Sequence, residues 1–409
     1  MTKPNILVGQ SGGPTAVINA SLYGVITEGL SHTEEIGTIY GMVHGIEGFL
    51  AGNYLNLSQE LHANDLELLK ITPAAYLGSC RFKLPEDFSS PVYAALFERF
   101  EELHIGAFFY IGGNDSMDTV SKLSQYAAAH NKTIRFVGIP KTIDNDLILT
   151  DHTPGFASAA KYVAAAVREI TMDSCVYHNH SVTIIELMGR HAGWLTAASV
   201  LARKHAGDNP VLIYLPEIPF SLEQFSHDIE RVFQTHRAAV VCVSEGIHDA
   251  DGKFICEYAS SAQVDNFGHK MLTGCGKFLE NYVREKFQIK VRSVELNVSQ
   301  RCSSMLVSRT DIEEAALAGS FGVQAALSGN TGCMVAFERD SSHPYQMHCA
   351  LHDVTKICNQ EKKFPPEWIT KNGTDVSDEF LEYVTPLVLG EVEHVMENGV
   401  PKFLYRENY

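Results

Sequence analysis

Gly138-Ile139-Pro140-Lys141-Thr142-Ile143-Asp144-Asn145-Asp146 begins in an apolar run and ends in charge. The run, Ile134 to Ile139, reads as a buried parallel strand, and Pro140, with no N–H to offer a ladder, stops it. In open α/β sheets ligands bind in the crevice outside the carboxyl ends of such strands. Two aspartates one residue apart, beside a lysine and a threonine, suit phosphoryl transfer. One acid takes a hydroxyl proton and the other helps place a magnesium ion. The same residues also fit a polar loop whose aspartate caps the next helix. The neighbouring segments have to decide.

Upstream, Ile6 to Val8 is a short strand followed by Gly9-Gln10-Ser11-Gly12-Gly13-Pro14-Thr15. A helix then shows Ile18, Leu22, Val25 and Ile26 on one face, with Pro14 expected in its first turn. Glycines between a strand and a helix let backbone N–H groups approach a phosphate, although this turn matches neither the dinucleotide-binding nor the Walker spacing. Thr38 to Val43 reads as a strand and Pro91 to His104 as an amphipathic helix. Ala107 to Ile111 is a buried strand that ends in Gly112-Gly113-Asn114-Asp115-Ser116, with a helix from Met117 to Ala129 behind it.

Downstream the alternation continues. After Thr153-Pro154-Gly155 comes an alanine-rich helix, Ala157 to Ile170. Ser181 to Glu186 delivers Met188-Gly189-Arg190, Val211 to Leu215 delivers Pro216-Glu217, and Ala238 to Val243 delivers Ser244-Glu245-Gly246. Apolar strands that each end in glycine or polar groups form the doubly wound α/β pattern. There is no internal repeat or low-complexity tract. Asn359 to Ser377, with Pro365-Pro366 and Asn372-Gly373, is the most loop-like part.

Bulk properties narrow the classes. A chain of 409 residues supports two domains or one large α/β unit, and 45% hydrophobic with 20% charged residues is ordinary for a soluble protein. The formal charge of −17 argues against nucleic acid or an anionic membrane as partner. It leaves an anionic small substrate open, because local arginines and lysines set the potential of one cleft. The nine cysteines are odd in number and contain no Cys-x-x-Cys pair, which suggests reduced thiols in a cytosol. No apolar run reaches membrane-spanning length, so a cytoplasmic location is expected. The histidines show no zinc spacing.

The first glycine loop, Gly112 to Ser116, Lys141 to Asp146 and Met188-Gly189-Arg190, taken in order, resemble the phosphofructokinase family. The likeness runs from about Asn5 to Thr331 and continues through Gln300-Arg301. Glu367-Trp368 to Leu389-Gly390-Glu391 resembles the carboxyl end of the pyrophosphate-using branch. The resemblance implies two Rossmann-like doubly wound domains with mainly parallel sheets and the active cleft between them. Residues 1–155 plus about 300–355 would form the donor domain, and 156–299 plus part of 356–409 the sugar-phosphate domain. It implies transfer of a phosphoryl group to the 1-hydroxyl of fructose 6-phosphate, reversibly, with Mg2+, in a homodimer or homotetramer. Asp144 then falls on the general base, and Thr142 and Arg190 on groups that stabilise the transferred phosphoryl. Donor binding falls to Gly12, Gly13, Arg81, Gly113, Asn114, Asp115, Ser116 and Lys141. Metal binding falls to Asn114, Asp115 and Asp146. The sugar phosphate falls to Thr142, Asp144, Met188, Gly189, Arg190, Glu217, Arg292 and Arg301.

Two positions bear on the donor. Relatives that use ATP carry glycine at 115 and at 141. Asp115 places bulk and like charge near a nucleotide's α-phosphate, whereas Lys141 offers an ammonium to pyrophosphate. Asp115 read alone also fits a helix-capping acid. The chain departs from the family pattern at Asn114, usually aspartate in pyrophosphate users, and near His180-Ser181, where a neighbouring subunit's arginine is usual. It departs again at Val298 and at Cys302-Ser303. Since the last three touch the sugar site, sedoheptulose 7-phosphate stands as an alternative acceptor. ATP-dependent transfer is the alternative for the donor. A nucleotide-binding oxidoreductase would need a Gly-x-Gly-x-x-Gly turn that the first loop lacks. A non-catalytic regulatory chain should have lost Asp144 or Arg190, and both are present.

Overall fold

A computed structural model describes residues 3–258 and 274–406. Eleven strands form two main sheets: β1 (Asn5–Gln10), β2 (Ile39–Met42), β3 (Tyr54–Asn56), β4 (Ile105–Gly112), β5 (Arg135–Pro140), β6 (Ser181–Leu187), β7 (Leu212–Tyr214), β8 (Ala238–Ser244), β9 (Lys290–Glu295), β10 (Cys333–Ser342) and β11 (Tyr345–Asp353). The first sheet has the order β11-β10-β5-β4-β1-β2-β3, and the second β7-β8-β6-β9. The second is parallel throughout. The first is parallel except at its edges, where β3 and β11 run antiparallel. This is the mixed α/β architecture expected from the sequence.

The strands of the first sheet are apolar on both faces because both faces are covered. Val8, Phe109, Val137 and Val335 point into one core. Their neighbours Leu7, Phe108, Phe136 and Met334 point into another. The second sheet repeats the arrangement, with Ile185, Ile213 and Cys242 on one side and Ile184, Leu212 and Val241 on the other. Truncating one such fully buried phenylalanine to alanine costs about 3–5 kcal/mol. The strands are therefore fixed supports for the loops at their ends.

Three boundaries differ from the sequence reading. The first helix is Ile18–Ser31 with Val17 at its cap, so Pro14 lies outside its first turn. The carbonyl of Thr15 instead accepts the N–H of Ala74 at 3.1 Å, a bond to a distant segment made outside the helix. The helix after β4 is Asn114–Ala129, so Asn114 and Asp115 belong to its first turn and Gly113 takes the cap position. The helix after Gly155 is Phe156–Ser174. Its opening amides are satisfied from elsewhere: buried Asp311, in the helix Arg309–Leu327, accepts the N–H groups of Gly155 and Ser158, each at 2.9 Å. The antiparallel pair β10–β11 has no counterpart in the sequence reading.

Candidate active site

β5 ends at Pro140, and the six residues after it alternate. Lys141, Ile143 and Asn145 are buried, while Thr142, Asp144 and Asp146 are half-buried. Ile143 packs into a core of the second sheet, while Thr142, Asp144 and Asp146 keep part of their surface open. The loop is pinned at its start. Lys141 N–H donates to the carbonyl of Gly112 at 2.9 Å, and Thr142 N–H donates to that of Pro154 at 3.2 Å. The N–H of Asp144 donates to Thr142 Oγ1 at 3.1 Å.

Around this loop the donor-side elements close in. Lys141 Nζ donates to the carbonyl of Gly13 at 2.6 Å. Gly12 has φ +76°, and a Cβ at Gly13 would stand 3.0 Å from Arg301 Nη1, so side chains at this pair would be strained or crowded. Gly12 is tied to the Gly78–Arg81 segment, where Ser79 Oγ donates to its carbonyl at 2.7 Å. That segment is braced from below: Gln10 Oε1 accepts Leu77 N–H and Asn19 Oδ1 accepts Tyr76 N–H, each at 2.9 Å. Asn114 Nδ2 approaches Asp146 Oδ2 at 3.4 Å, Asp115 is exposed, and Ser116 is buried.

The second sheet contributes the opposite side. Gly189 has φ +132°, a conformation that favours glycine, and its N–H donates to Glu245 Oε1 at 3.2 Å. Met188 N–H donates to Gln300 Oε1 at 3.2 Å. Glu217 Oε1 accepts the N–H groups of Gly193 and Phe364, each at 2.9 Å, while its Oε2 is buried without a hydrogen-bond partner among the described residues.

Electrostatics join the two sides. Burial lowers the Lys141 ammonium to about 8, against the opposing pull of Asp144, and Arg301 and Arg81 lower it further. Burial raises the Asp144 carboxyl, while Lys141, Thr142 and Arg190 oppose the rise. Burial followed by the charge of Asp144 raises Asp146 to about 7. Burial raises Glu245 to about 8, with the Gly189 N–H opposing. The two aspartates are best described as one titrating pair. A base, a second carboxylate and fixed cations facing one another are the parts that phosphoryl transfer uses.

A phosphofructokinase family model matches residues 5–327. The chain belongs to the phosphofructokinase family. A pyrophosphate--fructose 6-phosphate 1-phosphotransferase of Methylococcus capsulatus is 37% identical over 407 residues, covering 99% of this chain and 96% of that one. One of Rhodospirillum rubrum is 38% identical, covering 99% of this chain and 100% of its own. The crystal structure of a pyrophosphate-dependent phosphofructokinase from Nitrosospira multiformis superposes with a TM-score of 0.90 at 34% identity, covering 100% of this chain and 98% of that one.

Within this phosphofructokinase, most of the residues singled out from sequence converge. Arg292 does not. It lies on the edge strand β9 and pairs with Asp173 at 2.9 Å, both side chains being about half exposed. Asp173 ends the helix whose first residue, Phe156, lies beside the Thr142–Gly155 bridge. Seventeen residues of helix put it about 25 Å away along the axis, so Arg292 is not a member of this chain's own cleft. Val298 and Cys302 are exposed, and Ser181 is buried at the start of β6. A depression of about 410 Å³ lined by Phe97, His104, Ile105 and Ile134 lies at the amino ends of β4 and β5, the edge opposite the chemistry.

The sequence reading missed four contributors. Glu245 was visible only as a polar residue after an apolar strand. Asn145 sat unremarked between the two acids. Glu361, whose charge raises both Asp144 and Asp146, and Lys362 come from a stretch read only as loop.

Proposed function

We propose that the cleft transfers a phosphoryl group from pyrophosphate to the 1-hydroxyl of fructose 6-phosphate, giving fructose 1,6-bisphosphate and orthophosphate. The observation that carries this reading is the Lys141–Asp146 loop, whose two coupled carboxylates stand beside a buried ammonium at the carboxyl end of β5. Asp144 takes the proton of the 1-hydroxyl as that oxygen attacks the terminal phosphorus. The bridging P–O bond breaks and orthophosphate leaves. Lys141, Arg190 and Arg81 face the negative charge that spreads over the transferred oxygens, and Thr142 orients Asp144. Glu217 accepts sugar hydroxyls through its unpartnered oxygen, and Arg301 grips the 6-phosphate. One P–O bond, to the leaving orthophosphate, is exchanged for one P–O bond to the sugar oxygen, and a reversible reaction belongs to this reading.

Asn114 Oδ1 and Asp146 Oδ1 are buried acceptors without hydrogen-bond partners among the described residues, which fits a hard cation with oxygen ligands. Those two residues, with Asp115 at the helix terminus, would hold Mg2+, which neutralises donor charge when bound. Among the described residues there is no cluster of three His, Cys, Asp or Glu suited to a metal, so these side chains would hold the ion together with oxygens of the donor. Residues 1–155 with about 300–355 act as the donor domain, and 156–299 with part of 356–409 as the sugar domain. A homodimer or homotetramer in the cytoplasm goes with this reading. Among the described residues no helix is long and apolar enough to cross a membrane.

Initial rates with fructose 6-phosphate and Mg2+, comparing pyrophosphate with ATP at equal concentration, test the assignment. Turnover with pyrophosphate alone is expected. Turnover with ATP alone would overturn the donor, and turnover only with sedoheptulose 7-phosphate would overturn the acceptor.

A further inference from the structure

The chain after β11 returns to the site through residues 361–364 and touches both of its sides. Lys362 N–H donates to the carbonyl of Asp146 at 2.7 Å, and Phe364 N–H donates to Glu217. The indole N–H of Trp194 donates to the carbonyl of Lys362 at 3.2 Å. Part of Lys362 reaches the exterior, but its ammonium runs inward. It donates to Asn145 Oδ1 at 3.3 Å, to the carbonyl of Thr150 at 3.1 Å and to that of Asp151 at 2.8 Å, and it lies 5.0 Å from the Trp194 ring.

Asn145 is fully buried and has φ +53°, in the left-handed region that asparagine tolerates better than most residues. Its amide is held at both ends. Oδ1 accepts from Lys362, and Nδ2 donates to Tyr383 Oη at 2.9 Å. The Tyr383 proton goes in turn to the carbonyl of Asp151 at 2.7 Å. Asp144 and Asp146 are its two chain neighbours, so any change in the Asn145 dihedrals redirects one carboxylate relative to the other.

We propose that Lys362 is a positioning residue for phosphoryl transfer: by fixing Asn145 it sets the relative direction of the Asp144 and Asp146 carboxylates. The inference rests on the function proposed above. Burial lowers the Lys362 ammonium to about 8 even though Asp151 and Asp146 oppose the change, and Arg339 adds to it. The cation therefore still predominates at neutral pH. A misplacement of about 1 Å in a reacting group costs on the order of 100-fold in rate, so a side chain that never meets substrate governs kcat through geometry.

The test is a double-mutant cycle on the full chain with pyrophosphate, fructose 6-phosphate and Mg2+. Lys362→Met keeps an unbranched side chain of similar length and removes the charge. Asn145→Gly keeps the backbone conformation and removes the amide. Each is expected to lower kcat about 10- to 100-fold, with both KM values within about threefold of wild type. Because Lys362 acts through Asn145, the double variant should be no slower than the slower single variant. Folded Lys362→Met with wild-type kcat, effects that multiply, or a raised KM at unchanged kcat would each overturn the proposal. If Lys362→Met does not fold, Lys362→Gln decides, since its neutral amide keeps a polar group in the pocket but is one atom shorter and loosens the hold on Asn145. A kcat lowered about tenfold at unchanged KM supports the proposal, and a wild-type kcat overturns it. Wild-type protein silent with pyrophosphate would sink the proposed function itself, which is a separate outcome.

Discussion

The amide of Asn114 lies 3.4 Å from Asp146 Oδ2, and the remaining oxygens, Asn114 Oδ1 and Asp146 Oδ1, are buried with no hydrogen-bond partner among the described residues. Leaving such an acceptor unpaired costs about 1–3 kcal/mol. A bound divalent cation removes that cost. Replacing the neutral ligand by a charged one should tighten the site. Asn114→Asp is expected to lower the Mg2+ concentration giving half-maximal rate by about 3- to 10-fold, read from a Mg2+ titration at fixed pyrophosphate. An unchanged or higher midpoint would remove Asn114 from the ligand set.

In the proposed reaction Asp144 carries the proton transfer. Asp144→Ala should lower kcat by about a thousandfold while leaving both KM values within a few-fold. The base works ionised, and burial together with the paired carboxylates raises the pair, Asp146 to about 7. The free enzyme's kcat/KM should therefore fall on the acid side of neutrality. Asp146→Asn removes the neighbouring negative charge and should move that limb to lower pH, whatever it does to the plateau. A pH–rate profile whose acid limb stays put in Asp146→Asn would count against the pair.

The proposed donor choice turns on two side chains with different surroundings. Asp115 is exposed at the second residue of its helix, whereas Lys141 is buried with its ammonium on the carbonyl of Gly13. Changing both to glycine should admit ATP and reduce turnover with pyrophosphate about 100-fold or more. Rates with the two donors, on protein whose melting curve shows a folded chain, decide it. No ATP turnover would mean that other barriers exclude the nucleotide.

A buried charge relay lies just behind the site. His152 is fully buried, 2.8 Å from Asp151 and 2.6 Å from Glu314, and Arg339 also pairs with Asp151 at 2.8 Å. Burial alone would lower the imidazole, but Glu314 and Asp151 outweigh it and raise it to about 9. Because the folded value exceeds the unfolded one of about 6.5, the stabilisation is complete below that pH and is lost as pH rises through about 9. It amounts to roughly 3 kcal/mol at most. The melting temperature should drop between pH 7 and 9.5, and His152→Gln should flatten the drop. A parallel profile in the variant would rule out His152 as the titrating group.

The sheets and the core of the site were legible because their signals are local. Phe108 and Phe109 announce a strand covered on both faces, and Lys141 to Asp146 carry their chemistry in six consecutive residues. Pro14 misled because its local preference for a first helical turn yields to the contact between Thr15 and Ala74. The capping of Phe156–Ser174 by Asp311 joins residues more than 150 positions apart, and no spacing rule links them. Lys362 was invisible for a similar reason: a lysine in a loop looks solvated until the fold brings Trp194 and Asn145 to its ammonium. Arg292 was an alignment inference, and its edge strand takes it to the far end of the helix that starts at the site.

The contacts of Lys362 with Asp146 and of Phe364 with Glu217 also bear on biosynthesis. The ribosome completes both main sheets before it adds these residues, and Tyr383 emerges later still. A nascent chain that has already folded its strands still lacks the groups that brace its reactive loop. On the proposed role of Lys362, a chain terminated before these residues would carry folded strands but an unbraced reactive loop, and would work slowly at best.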